Sequence, residues 1–98
     1  MQAELILNEE FQLGDGLVAK IVIWRLPRQL RGSMHSFKYS LAFVEKGVNV
    51  LRYDNEAGKG DHRHVGRREF AYRFVDLEEL KIDFWKDVEE WLKRKSAS

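Results

Sequence analysis

The chain has 98 residues, 44% of them apolar and 12% aromatic, with a formal charge of +1 and no cysteine. That is enough apolar material for one packed core but too little length for a second, so a single domain over 1–98 is expected and a disordered chain is excluded. A disulfide framework and a thiolate zinc site are excluded for want of cysteine, and no apolar run approaches the roughly 18–20 residues of a membrane span.

Met1-Gln2-Ala3-Glu4 lacks the basic start and apolar run of a signal peptide. The expectation is a soluble, cytoplasmic protein without membrane association. Leu5-Ile6-Leu7 reads as a short strand, and Gly14-Asp15-Gly16 as a turn, because glycine reaches positive φ without steric cost. Leu17 to Leu26 is rich in β-branched and aromatic residues and predicts a central strand. Pro27 ends it, having no N–H to donate to a ladder. Residues 27–34 read as a loop. Arg25, Arg28 and Arg31 fall around its start with no acid among them, either as a solvated loop or as a phosphate-contacting rim.

From His35 to Lys46 the pattern alternates: Phe37, Tyr39, Leu41 and Phe43 share one parity, Lys38, Ser40 and Ala42 the other. After Lys46-Gly47 the alternation resumes from Val48 to Asp54, so 36–54 predicts a β-hairpin. Residues 55–69 read as a loop, and Phe70 to Val75 as a last short strand. The period then changes. Leu77, Leu80, Phe84, Val88 and Trp91 recur at helical spacing. Asp76 is a suitable N-cap with Glu79 three residues on. Acids crowd the first turn and Lys93-Arg94-Lys95 the last, as the helix dipole favours. The fold class that follows is α+β: an antiparallel meander of four to five strands with one C-terminal helix packed on one face. The helical segment 76–95 carries seven acidic and five basic residues, which leaves 12 basic and 9 acidic elsewhere. That balance permits an RNA partner.

The chemistry concentrates in Tyr53-Asp54-Asn55-Glu56-Ala57-Gly58-Lys59-Gly60-Asp61-His62-Arg63-His64. Gly58-Lys59-Gly60 is not a Walker A loop, which needs a longer glycine spacing and a Ser or Thr after the lysine. Its glycines free backbone N–H groups to approach an anion and Lys59 adds a mobile charge; the plain alternative is a flexible turn. In an extended segment His62 and His64 point to one side. With Lys59 they could cleave RNA: one neutral imidazole takes the 2′-hydroxyl proton, one charged imidazole protonates the leaving 5′-oxygen, and the lysine offsets phosphoryl charge. Asp61 or Asp54 would orient an imidazole. Gly58, Gly60, Arg63, Arg67, Arg68, Arg25 and Arg28 are candidate phosphate or nucleic-acid contacts, with His35, Glu56, Asn55 and Tyr53 as further candidates. The same histidines with Asp54, Glu56 or Asp61 could instead ligate a metal. Lys59, Arg63, Arg67 and Arg68 suit a phosphate better, so no metal or other cofactor is expected. A third reading leaves the histidines as solvated loop residues. Tyr53, Tyr72, Trp24 and Phe37 could stack a base, though at strand parity such residues are more often core.

The twelve-residue run resembles the signature of the TumE-like toxins of prokaryotic toxin–antitoxin pairs. The similarity extends to Val22-Ile23-Trp24-Arg25-Leu26-Pro27, to Ser33-x-His35-x-Phe37-Lys38-Tyr39 and to Tyr72-Arg73-Phe74, in the same order and at similar spacing. The resemblance implies a small cytoplasmic toxin neutralised by a cognate antitoxin protein. It raises the expectation of an RNA substrate by analogy only. The leading reading is a metal-independent ribonuclease. The alternatives are a non-catalytic nucleotide or nucleic-acid binding module and a metal-dependent hydrolase or nucleotidyl-modifying enzyme. A homodimer is compatible with a sheet that leaves a face or edge to cover.

Overall fold

In the computed structural model, which describes residues 2–97, six strands run as β1 (Glu4–Gly14), β2 (Leu17–Arg25), β3 (Phe37–Glu45), β4 (Val48–Glu56), β5 (Gly60–Val65) and β6 (Arg68–Ala71), followed by one helix, α1 (Leu77–Ala97). Every neighbouring pair is antiparallel and the sheet order follows the chain order. The expected meander with a C-terminal helix is therefore what forms. The hairpin read from 36–54 is β3–β4, and the Asp76 cap is made, with its Oδ1 accepting from the Glu79 N–H at 2.7 Å.

Six strands replace the four to five expected, and the extra one is β5. It runs through 60–65, within the stretch read as a loop. Its alternating pattern is hidden because both parities are polar: His62 and His64 on one side, Asp61 and Arg63 on the other. β1 is also longer than Leu5–Leu7. It is an edge strand with Glu9, Glu10 and Gln12 exposed, so its polar composition masks it. β6 is displaced, ending at Ala71. Past it, the Tyr72 N–H still donates to the Asp61 carbonyl at 2.9 Å while its hydroxyl donates to Asp83 of the helix, and Phe74 packs on His35 of the 26–36 loop.

One face of the sheet lies under α1. Ala19, Ile21 and Ile23 of β2, Tyr39, Leu41 and Phe43 of β3, and Leu51 and Tyr53 of β4 meet Leu80, Phe84 and Val88 of α1 in the buried core. Trp91 stands edge-on to Phe43 and Trp85 edge-on to Phe11 and Phe84, extending that core to the helix flanks. Side chains alternate along a strand, so the opposite parity forms the other face. The register aligns Val22, Ser40, Asp54 and His62 in one row and Lys20, Ala42, Arg52 and His64 in the next. This face carries no helix. Among the described residues no helix is long and apolar enough to cross a membrane.

Candidate active site

Because β5 is a strand, its parity divides the polar run into two clusters on opposite faces. His62 and His64 project from the open face. Asp61 and Arg63 project from the helix side.

On the open face the two imidazole centroids are 6.4 Å apart. His64 Nε2 lies 3.2 Å from Asp54 Oδ1 on the neighbouring strand. A carboxylate only accepts, so His64 Nε2 carries the proton and Nδ1 keeps the lone pair of the neutral ring. His62 Nε2 is 3.7 Å from Glu69 Oε1 of β6, an ion-pair distance rather than a hydrogen bond. Both histidines are about a quarter exposed or less, which leaves each ring reachable but held. Arg52 Nε sits 3.2 Å from the second oxygen of Asp54. The alignment is too poor for a hydrogen bond, and this N–H is buried with no partner among the described residues. The Arg52 charge is thus paired with Asp54, while 36% of its side chain stays exposed beside the two histidines, where its other N–H groups suit a phosphoryl oxygen. Lys38 lies on the same face one strand away, its ammonium donating to the Asn55 carbonyl.

On the helix side, at the end of the sheet, Asp61 is almost fully buried. Its Oδ1 accepts from Ser33 Oγ at 2.5 Å, and its Oδ2 from His35 Nε2 at 2.6 Å and Tyr39 Oη at 2.7 Å. His35 Nδ1 accepts the Phe37 N–H at 3.1 Å, so both ring nitrogens are committed. Phe74 packs on the His35 ring with centroids 3.8 Å apart. Asn55, with no exposed surface, completes the cluster: its Oδ1 accepts the Tyr39 N–H at 3.0 Å and its Nδ2 donates to the Phe37 carbonyl at 2.7 Å. Burial, then the bond to Asp61, holds the Tyr39 phenol well above the usual tyrosine range. This cluster fastens residues 26–36 to the sheet.

Gly58 and Gly60 face the same loop. The Gly58 N–H donates to the Arg31 carbonyl at 2.6 Å, and the Gly32 backbone is packed against Gly58, Lys59 and Gly60. Lys59 is exposed in that turn, 3.6 Å from Glu56. Arg63 is turned to the helix, where its Nε donates to Asp87 Oδ2 at 2.7 Å and to Tyr53 Oη at 3.1 Å. The bond to Asp87 raises the guanidinium pKa while burial opposes it. Tyr53 is likewise pushed up, by burial first and then by its bond to Asp87. Arg68 stacks over Phe70, Arg67 is exposed in the β5–β6 turn, Arg25 pairs with Glu4 at 2.9 Å, and Arg28 is exposed in the 26–36 loop. The structure thus gathers His62, His64 and Asp54, and sets Asp61 with His35, Asn55 and Tyr39 elsewhere. Among the described residues no group of three or more carboxylates and histidines is placed to hold a metal ion.

Arg52, Lys38 and Glu69 join the site without having been candidate site residues, Lys38 having figured only in the Ser33–Tyr39 resemblance. Strand parity could have found the first two, since Arg52 shares its parity with Asp54, and Lys38 lies on the polar parity of its strand. The family model for the toxin TumE matches residues 2–92. The chain belongs to the TumE toxin family. No curated protein and no solved structure gives a significant match. A toxin of this family is paired in general with an antitoxin.

Proposed function

We propose that this TumE-family toxin acts in the cytoplasm as a metal-independent ribonuclease, and that a cognate antitoxin protein of a type II pair neutralises it. The observation that carries the reading is the His62–His64 pair on the open face, ring centroids 6.4 Å apart, with Asp54 on one ring and the partly exposed Arg52 guanidinium beside them. A phosphodiester seated between two imidazoles needs one hydrogen-bond distance, roughly 2.6–3.2 Å, on each side.

In the proposed step His64 Nδ1 takes the proton of the 2′-hydroxyl, Asp54 holding the ring in the required tautomer. The 2′-oxygen attacks phosphorus. The bond from phosphorus to the 5′-oxygen breaks, and charged His62 gives that oxygen its proton. The products are a 2′,3′-cyclic phosphate and a 5′-hydroxyl. Arg52 offsets the charge on the phosphoryl oxygens, with Lys38 behind it. Lys59 supplies an outlying charge from its turn, as do Arg67, Arg68 and Arg28 at the rim. Gly58 and Gly60 serve the site through the loop they receive. Histidine suits both roles because its ordinary pKa of about 6.5 lies near the working pH.

The test is expression of the wild type and of His62→Ala/His64→Ala without antitoxin, followed by sequencing of cellular RNA ends. The expected result is growth arrest with new 2′,3′-cyclic phosphate ends in the wild type alone, unaltered by chelator in the purified reaction. Arrest with intact RNA would overturn cleavage and move the site to binding or modification. Cleavage by the folded double variant would overturn the histidine assignment.

A further inference from the structure

The open face holds a feature the cleavage chemistry does not use. Trp24 of β2 is 36% exposed on that face, whereas Trp85 and Trp91 are packed against other rings. Among the described residues no ring stacks on Trp24 and its indole N–H has no partner. Beside it is a recess of about 140 Å³ lined by Val22, Trp24, Lys38, Tyr39 and Ser40. Trp24 pairs with Lys38 across the β2–β3 ladder, and Ser40 pairs with Asp54 across β3–β4, in the row that contains His62. The Ser40 hydroxyl is also without a partner among the described residues. One corner therefore presents a flat aromatic surface, a free hydroxyl and an ammonium, and the row beside it leads to the histidines.

We infer that the Trp24–Lys38–Ser40 corner is a subsite for one unpaired nucleobase of an RNA strand laid across the open face, an inference that rests on the ribonuclease reading. A π-face accepts any base by stacking, the Ser40 hydroxyl can meet its polar edge, and Lys38 faces the adjoining phosphate. The three-strand separation from β2 to β5, at about 4.8 Å per strand, together with a two-residue offset, puts Trp24 roughly 16 Å from His62. The base held there belongs to a nucleotide beyond the scissile bond. It contributes affinity and preference rather than chemistry, so its loss should raise KM and leave kcat in place.

The probe is a short, labelled single-stranded oligonucleotide, fully 2′-O-methylated so that it cannot be cleaved, titrated at low salt into the wild type, Trp24→Ala, Trp24→Phe and His62→Ala/His64→Ala. Trp24→Ala should weaken binding on the order of 10-fold and Trp24→Phe less than about 3-fold, as stacking on an aromatic face requires. On cleavable RNA, KM should rise by the same factor. Trp24→Ala binding within about 2-fold of the wild type would overturn the subsite while cleavage and its histidine dependence stand. Absence of binding by every form would also overturn it. Trp24-dependent binding without cleavage of any RNA would sink the ribonuclease reading and leave the base subsite intact. Unchanged RNA affinity with an altered oligomeric mass in Trp24→Ala would reassign the corner to a protein interface.

Discussion

Gly60→Ala decides what the Gly58-Lys59-Gly60 turn is for. Gly60 is buried at φ +80°, and a β-carbon on it would lie 2.7 Å from the Gly32 carbonyl oxygen. Gly66 is the matched control, at φ +60° with nothing within 4 Å of the same atom. Alanine at Gly66 meets only the left-handed backbone, about 1–2 kcal/mol, partly offset by about 0.4–1 kcal/mol from the stiffer unfolded chain, for a net loss of about 1 kcal/mol. At Gly60 the same strain adds to an overlap between main-chain atoms, which no side-chain rotation relieves. Residues 26–36 must back away, which breaks the bond from Gly58 N–H to Arg31 and strains that of Ser33 to Asp61. At about 1 kcal/mol for each hydrogen bond, the total loss reaches about 3 kcal/mol. In a domain of this size 1 kcal/mol shifts Tm by roughly 4–8 °C, so Gly60→Ala should melt roughly 8–16 °C below Gly66→Ala. Thermal and urea unfolding of the two variants measure this directly. Stabilities within about 0.5 kcal/mol of each other would refute the packing argument. If Gly60→Ala then also lost activity, the turn would have to be read as a direct anion contact.

Three further outcomes follow from the geometry. Asn55→Ala leaves the Tyr39 N–H and the Phe37 carbonyl without their partner and should cost about 2–4 kcal/mol in urea unfolding; a loss under about 1 kcal/mol would mean that water replaces the amide. All three tyrosines have raised phenol pKa values, each by burial first and then by a bond to Asp61, Asp87 or Asp83. The folded chain keeps protons that the unfolded chain loses, so this stability is fully present below pH of about 10 and declines as pH rises past it. Near-ultraviolet titration should show tyrosinate only on unfolding, and a folded phenol titrating near pH of about 10 would contradict the structure. Asp54→Asn should slow RNA cleavage about 10-fold or more with Tm nearly unchanged, because it removes the group that holds the His64 tautomer; an unchanged rate would take Asp54 out of the site.

Much of the scaffold was legible from local pattern. The β3–β4 hairpin shows a clean period of two because one of its faces is covered by apolar packing, and α1 shows a period near 3.6 with a cap that the structure makes. β5 was not legible. Its side chains from 61 to 64 are charges and histidines on both faces, Arg63 paired with Asp87 of the helix on one and His64 with Asp54 on the other, so there is no apolar alternation to read. The site inherits that difference. His62 and His64 could be paired from their spacing, but Asp54 and Asp61 were equal candidates as orienting carboxylates until the strand was established.

By itself the sequence determined an antiparallel sheet with a C-terminal helix, the chain's membership in the TumE toxin family, and the residue types available for acid–base chemistry. Only the tertiary structure decided their partners. The β4–β5 register sets Arg52 against His64 and Asp54 against His62, and Asp54 reaches diagonally across it to His64. Asp61, one residue from His62, faces the other way and meets Ser33, His35 and Tyr39, since the 26–36 loop folds back onto that end of the sheet. Spacing along a chain gives the side on which a residue stands once the strand is known. Register and loop return, which depend on pairing across the whole sheet, determine what it meets there.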